Sequence, residues 1–464
     1  MFKKLFKKTE FKIFLTIWIV YVFYLSEIGG SHSISAAALT VSIAEDHTLS
    51  IDRYKYHSDT HNFAFYKGKF YSGVAPGAPF LALPIYLVFK PLIDIFHFSN
   101  YSDSIIKLVM AVIISTIFLT AVASALTAVL LFRLLKYFIK NDKKRLFLIF
   151  VFSFGTLYFL YSTRYEFIVI SAFFSFFAFY LLFKVKYKEL NSKILFFAGF
   201  LSAIAITMHY LQVTTFFILF LYLLSFSKIN KKVLLYILGT FVPILLLMFY
   251  HFYVFDNPFK TGYDYTYDYL IIQPDNDIKF NFNFSNLWGL TFSPFKGFFF
   301  YMPITLLALY GLFWSLARKN MYKAEIIFSF IIFISNLIFV ASSVFWYGGC
   351  SYGPRYLIPS IPFMFIIIGS VMEHLPMAYT YFLSAMSVFI NYLSAIYGRY
   401  CETNNDIFNI YIPSLFNKGL SNYNPLKIIS QYFLKIPSSI TALLHFLVIL
   451  LLSLLIYWIW KKKY

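Results

Sequence analysis

Leu108-Val-Met-Ala-Val-Ile-Ile-Ser-Thr-Ile-Phe-Leu-Thr-Ala-Val-Ala-Ser-Ala-Leu-Thr-Ala-Val-Leu-Leu-Phe132 carries no charged residue, and Arg133 closes it. About 20 apolar residues in a helix cross the hydrocarbon core of a bilayer. A helix satisfies every backbone group from within, which lipid requires. Barrel strands would alternate apolar and polar residues and would not give a continuous run. The rest of the chain is written in the same way. Of its 464 residues, 60% are hydrophobic and 13% charged, with a mean hydropathy of +0.72. Soluble globular chains run near 45–50% apolar and about 25% charged. The composition excludes a soluble protein, a disordered chain, collagen and a disulfide-rich secreted scaffold. It predicts an all-α polytopic membrane protein, with residues 1–464 as a single integral membrane domain.

Working outward from Leu108–Phe132, twelve spans keep Lys and Arg on the cytoplasmic side. They cover 9–26, 106–132, 146–163, 167–183, 194–210, 212–227, 233–254, 297–315, 324–345, 357–372, 377–396 and 439–460, with both termini inside. The inner segments then hold 24 basic and 5 acidic residues, and the outer segments 15 of each. The whole net charge of +19 is therefore cytoplasmic. This basicity is a topology signal, and nucleic acid is excluded as a partner. The small residues at 35–38 lie too far beyond Phe11–Leu25 for signal-peptide cleavage, so a retained first helix is expected. Phe80–Phe96 is apolar enough to span, but it contains Pro84, Pro91, Lys90 and Asp94. It is read as an amphipathic helix on the outer interface.

Three outer segments are long: 27–105 with its interfacial helices, 255–296 and 397–438. The inner loops carry little besides charge, so function is expected on the outer face. Residues 33–45 predict a short helix with Ser33 as N-cap. Asp52 follows an alternating stretch and precedes Arg53. It reads either as a solvated carboxylate paired with that arginine or as a general base near the membrane surface. His57-x-Asp59-x-His61 would put three ligand-type side chains on one face of an extended segment. That pattern admits a divalent metal, although a polar loop explains it more simply. Arg164 and Glu166 form a charged pair at the mouth of two helices. They read as an interfacial ion pair, or as a second acid beside a phosphate-binding cation.

The most distinctive segment is Trp346-Tyr-Gly-Gly-Cys-Ser-Tyr352-Gly-Pro-Arg355-Tyr-Leu-Ile-Pro359. Arg355 falls where a lipid phosphate would lie, and guanidinium suits phosphate bidentately. Interfacial snorkelling is the plain alternative. His209 and His445 lie in spans and read as packing residues. Cys350 and Cys401 both fall outside, where a disulfide is permitted. No Walker A loop, dinucleotide glycine fingerprint or zinc-protease helix motif is present.

The order of these signals resembles the GT-C superfamily of polytopic glycosyltransferases, which includes protein O-mannosyltransferases and the lipid A aminoarabinose transferase. Four segments carry the resemblance. They are Leu49-Ser-Ile-Asp52-Arg-Tyr through Tyr71-Ser-Gly-Val-Ala-Pro-Gly-Ala-Pro79, Asp256-Asn-Pro-Phe-Lys-Thr-Gly-Tyr263, Leu290-Thr-Phe-Ser-Pro-Phe-Lys-Gly297 with Tyr301-Met-Pro303, and Trp346–Tyr356. The resemblance implies transfer of a sugar from a polyprenyl-phosphate donor to a saccharide, lipid or protein acceptor. The reaction would sit on the outer face of the plasma (inner) membrane, among membrane lipids. It implies a catalytic carboxylate at Asp52 or Glu27, with Glu166 as a second acid. It implies donor-phosphate binding by Arg355, with Arg164 and Tyr352 nearby. Relatives often carry an Asp just after the first span, where this chain has His32. Together with Asp59 and Tyr263, His32 is a candidate for the acceptor side. The alternative functions are a transporter or flippase of lipid-linked saccharides, or a polymerase or ligase of them. A transporter predicts functional charges along mid-membrane helices, whereas these acids cluster in outer loops.

Overall fold

The computed structural model describes residues 8–26, 30–55, 62–95, 102–227, 231–266, 282–397, 407–413 and 438–461. Glu27, His57, Asp59, His61 and Cys401 lie outside the described residues. The described chain is mainly helical, joined by turns, with one hairpin, Phe63–Tyr66 with Lys69–Ser72, and a single bridge from Ala64 to Thr266. Every one of the twelve apolar stretches carries helix. Among the described residues, four helices are long and apolar enough to cross a membrane: Asp103–Leu135, Phe167–Lys186, Lys231–Phe255 and Lys323–Ala341.

Met377–Tyr397 and Ser438–Lys461 are also long, while several of the other stretches are shorter or broken for local reasons. The stretch 146–163 divides into Asp142–Phe154 and Tyr158–Ser162. Gly155 ends the first helix, and the Thr156 hydroxyl donates back to the carbonyl of Phe152 (2.6 Å). The stretch 357–372 opens as a tight 3-10 turn, Arg355–Ser360, before the α-helix Ile361–Val371. Pro359 lies within that turn and Pro362 at the start of the helix, which a proline ring tolerates.

The chain folds into two compact units, each discontinuous in sequence. The first gathers Met1–Glu27, Ala121–Thr163 and Phe282–Tyr464. Its helix Lys8–Phe23 packs on Ala121–Leu135, with Glu10 and Arg133 paired at 2.6 Å. Residues 361–368 of the helix Ile361–Val371 are buried throughout, and Leu306–Ala317 and Lys323–Ala341 pack against that helix. Ser387 Oγ accepts the Ile304 N–H (2.9 Å), and the Asn391 amide donates to the Tyr301 carbonyl (2.9 Å). These bonds fix the helix Met377–Tyr397 against the segment 301–304.

The second unit gathers Ile28–Thr120 and Arg164–Asn281. In it, Leu195–Met208 crosses Lys231–Phe255 with backbones touching. A Cβ on Gly199 would lie 2.0 Å from the Tyr236 carbonyl oxygen, and one on Gly239 would lie 1.9 Å from that of Phe196. Small residues allow the close helix packing that membrane helices rely on. The first loop builds a helix, Ser31–Val41, whose residues Ala36–Leu39 are fully buried. Its N-cap is Gly30, not Ser33. Ser33 lies in the first turn, and its hydroxyl donates to the Tyr165 carbonyl (2.9 Å). The remainder of the expected 33–45 helix widens into a π-turn, Ser42–Asp46, and His47 turns left-handed (φ 51°).

Gly77–Ile93 forms the helix expected from Phe80–Phe96 and contains Pro84 and Pro91. Phe80, Leu87, Val88 and Leu92 are exposed on it. Its Lys90 reaches back to Glu45 (2.5 Å), which also takes Lys107 (2.9 Å) and the Tyr86 hydroxyl (3.1 Å). An apolar outer face and an ionic inner anchor are what an interfacial helix needs.

Candidate functional site

The first unit holds the segment singled out as most distinctive. Gly348, Gly349 and Gly353 all sit at positive φ (73°, 61° and 59°), where glycine carries no Cβ penalty. They fold residues 346–355 into a tight turn. Cys350 within it is disulfide-bonded. Tyr352 anchors the turn from below. Its N–H donates to the Tyr161 hydroxyl (3.1 Å), which donates in return to the Tyr352 carbonyl (2.9 Å). The Tyr352 hydroxyl donates to the Ile390 carbonyl (2.7 Å), and the ring meets Tyr301 and Tyr411 edge-on. This hydroxyl is committed to the backbone, so Tyr352 is a buttress of the turn.

Arg355 leaves the turn only 6% exposed. Its guanidinium donates to the Tyr356 hydroxyl (3.3 Å) and lies over that ring. Beside the turn stands a second cation to which the sequence reading gave no role. Lys296 occupies the bend Ser293–Gly297, between the helices Phe284–Thr291 and Phe298–Tyr301. It is 3% exposed. Its Nζ donates to the carbonyl oxygen of Ser351 and to Ser351 Oγ (2.9 Å). Phe295 packs on Trp346 in the same contact (6.1 Å between ring centres). Among the described residues no carboxylate pairs with Lys296. Burial pushes its amine down to about 7, and the Arg355 guanidinium adds to the effect.

Two motifs far apart in sequence therefore meet as one basic centre. Its heart is a notch at Gly348. A Cβ there would lie 3.1 Å from Arg355 Nε and 3.3 Å from Ser351 Oγ. Gly349, one residue on, has nothing within 4 Å of the same hypothetical atom. Alanine at either position meets the left-handed backbone penalty of about 1–2 kcal/mol, but at 348 alone it also fills the notch. Gly348→Ala is expected to weaken binding of a phosphate anion about tenfold more than Gly349→Ala does, a difference of about 1.4 kcal/mol. Calorimetric titration of both variants measures this, and equal losses would take the notch out of the site.

The second unit brings together other candidates. Glu166 is buried before the helix Phe167–Lys186 and pairs with Arg164 at 3.1 Å. Its N–H donates to the Thr120 hydroxyl (3.4 Å). The His32 ring lies 5.9 Å from that of Phe167, and His209 stacks on Phe167 at 5.8 Å. His32, Arg164 and Glu166 thus share one neighbourhood. Asp52 is used differently from its expected pairing. Arg53 pairs with Asp46 (2.7 Å), not with Asp52. The Asp52 carboxylate accepts the Phe70 N–H (2.8 Å) on one oxygen and the Ser50 hydroxyl (2.7 Å) on the other. It ties the loop to the hairpin, whose turn is Lys67–Gly68 at positive φ.

Tyr263 lies in the 3-10 turn Gly262–Tyr265, its ring 6.0 Å from that of Tyr210, whose hydroxyl contacts His251 (3.0 Å). Among the described residues no group of three His, Cys, Asp or Glu could hold a metal ion. The His57–Asp59–His61 pattern, Asp59 itself and Glu27 lie outside them. Of His445, the structure describes only that it falls in the helix Ser438–Lys461.

Lys296 was legible as a residue type: it is the lysine of the Ser-Pro-Phe-Lys-Gly segment, 55 positions before Ser351. Only folding places it beside Arg355. The class that fold and site define is a helical protein with helices long and apolar enough to cross a membrane and a buried basic turn. No family model matches the chain, and no curated protein matches it in sequence.

Proposed function

We propose that the chain is a multi-pass membrane glycosyltransferase of the GT-C type, which moves a sugar from a polyprenyl-phosphate donor to an acceptor on the outer face of the plasma (inner) membrane. In this reading all twelve helical stretches span, and both termini are cytoplasmic. The asymmetry of Lys and Arg along the chain supports that orientation.

The observation that carries the reading is the basic centre of the first unit. Lys296 and Arg355 are both buried in it, and among the described residues the oxygens of Ser351 accept from Lys296. Two buried basic groups in one turn give a positive local field, which favours an anionic ligand. Guanidinium and ammonium groups aimed at a leaving phosphate stabilise the charge that develops there. No nucleotide pool exists outside the cell, so the leaving group we assign is lipid phosphate.

The carboxylate proposals belong to the second unit. Asp52, only partly buried, is the one we assign to deprotonating an acceptor hydroxyl, with Glu166 second because it is buried against Arg164.

The test is sugar release from radiolabelled polyprenyl-phosphate monosaccharides by the purified full chain, across a panel of sugars and with acceptor glycans and lipids present. Turnover with one donor is the expected result. No turnover with any donor, alongside scrambling of the lipid between leaflets of a vesicle, would move the protein to the transporter class.

A further inference from the structure

We propose that the cavity at the turn between the helices Leu306–Ala317 and Lys323–Ala341 binds the phosphate headgroup of an anionic membrane lipid, held by Arg318, Lys319 and Lys323. The inference rests on the membrane part of the function proposed above, and neither on sugar transfer nor on the basic turn at Arg355.

The cavity lies wholly within the first unit and measures about 620 Å³. Small-ligand sites occupy about 300–1,000 Å³. Its lining sets Arg318, Lys319 and Lys323 beside the apolar Leu316, Ala317 and Met321. No carboxylate is among the lining residues. Of the nearby acids, Glu325 is buried in the first turn of Lys323–Ala341. Glu373 is committed to Lys144 and to the N–H groups of Lys140 and Asn141. The local field in the cavity is therefore positive, which suits an anion.

The turn is built before any ligand arrives. The Asn320 side chain accepts the Tyr322 N–H (2.8 Å), and its carbonyl accepts the Lys323 N–H (3.2 Å). The Tyr322 ring packs on Phe138 (5.0 Å) and Tyr137 (5.9 Å). The Arg318 guanidinium lies 3.8 Å from the centre of the Trp314 ring, which in turn packs on His374 (5.2 Å). Such a cation–π contact orients the planar fork while its N–H donors stay open to phosphate oxygens. Lys323 Nζ donates to the Leu316 carbonyl (2.9 Å), one of the three donors of an ammonium. Lys319 is exposed and has no ionic partner among the described residues.

The apolar surroundings select a lipid over a soluble anion. Lys323–Ala341 is long and apolar enough to cross a membrane, so its first residue falls near the edge of the hydrocarbon, where lipid phosphates lie. On the partner helix, Leu306, Tyr310 and Phe313 are exposed at spacing i, i+4, i+7, which makes one stripe. That helix is about 18 Å long and ends at Leu316 and Ala317 of the cavity. An acyl chain laid along the stripe brings its headgroup to the three cations. A free phosphate would use the cations and leave the stripe bare.

The test is saturation binding of radiolabelled phosphatidylglycerol to the purified full chain in a neutral detergent. Saturable binding is expected, competed by unlabelled phosphatidylglycerol and not by phosphatidylcholine, whose headgroup has no net charge. Arg318→Gln and Lys319→Gln are each expected to weaken binding about fivefold and the pair about 25-fold, the size expected of single basic residues near an anionic headgroup. Added salt is expected to weaken the wild type more than the pair. Lys140→Gln with Lys143→Gln removes the same charge from a loop that does not line the cavity, and is expected to leave binding nearly unchanged. An equal loss in that control overturns the cavity and leaves a generally charged face. Equal competition by phosphatidylcholine overturns the requirement for net charge, and displacement by inorganic phosphate at the same concentration as the lipid overturns the lipid assignment in favour of a free anion. Absence of saturable binding overturns the site. Sugar transfer is not part of the readout, so saturable binding without turnover of any donor upholds this inference and counts against the glycosyltransferase reading alone.

Discussion

Arg355→Ala is expected to lower sugar transfer from a polyprenyl-phosphate donor by about 10²–10³-fold, the usual loss when one preorganised group facing developing charge is removed. The reason lies in where Arg355 sits. It is 6% exposed and leaves a turn built from three left-handed glycines, so its guanidinium is held before any ligand arrives. In such surroundings a charge–charge contact is far stronger than in water. The loss is expected in kcat as well as in donor affinity, because charge on the leaving phosphate grows as the bond to the sugar breaks. Arg355→Lys keeps the charge but not the planar fork, and is expected to recover only part of the rate. Folding is expected to survive, since the turn is held by its glycines and by the hydrogen bonds of Tyr352. Turnover and thermal unfolding of the three proteins, measured side by side, check this. Full turnover in Arg355→Ala would take the donor phosphate away from the turn.

Asp52→Asn is expected to abolish transfer by about 10²–10⁴-fold, the range for a positioned general base, while leaving the fold intact. Asparagine is the informative substitution here. Its carbonyl oxygen still accepts the Phe70 N–H, and its amide can donate to Ser50 Oγ in place of the bond now running the other way. The hairpin anchor is thus kept while the basic oxygen is lost. Asp52→Ala removes both, leaves the Phe70 N–H to solvent and loosens the hairpin. Activity lost in both variants, with stability lost only in the alanine, supports the base. Full activity in Asp52→Asn would make Asp52 a structural tie alone and move the catalytic proposal to Glu166. Glu166→Gln keeps a hydrogen bond to Arg164 and would then be the decisive variant.

The helices were legible because their cause is local. A run such as Leu108–Phe132 has one way to satisfy its backbone in lipid, and residues 103–135 are helical. The break at Gly155 was less visible, since one glycine in an apolar run is ordinarily tolerated. The helix nonetheless ends there, with the Thr156 hydroxyl turned back onto the Phe152 carbonyl. A tight turn could be read from three glycines and a proline in seven residues, and Arg355 from its place beside them.

Contacts between distant segments could not be read. Asp52 and Arg53 are neighbours in sequence, yet the carboxylate turns to Phe70 and the guanidinium to Asp46. Lys296 stood in a segment the reading had quoted, yet nothing local said that it would be buried against Ser351. The sequence by itself determined a mainly helical chain with runs of membrane-spanning length and a tight glycine turn, because backbone hydrogen bonding, apolar run length and the missing Cβ act on each segment alone. Tertiary structure alone decided that Lys296 would lie against Ser351, with Arg355 close enough to act on its charge, because desolvation and charge proximity are properties of packed neighbours and not of residue types.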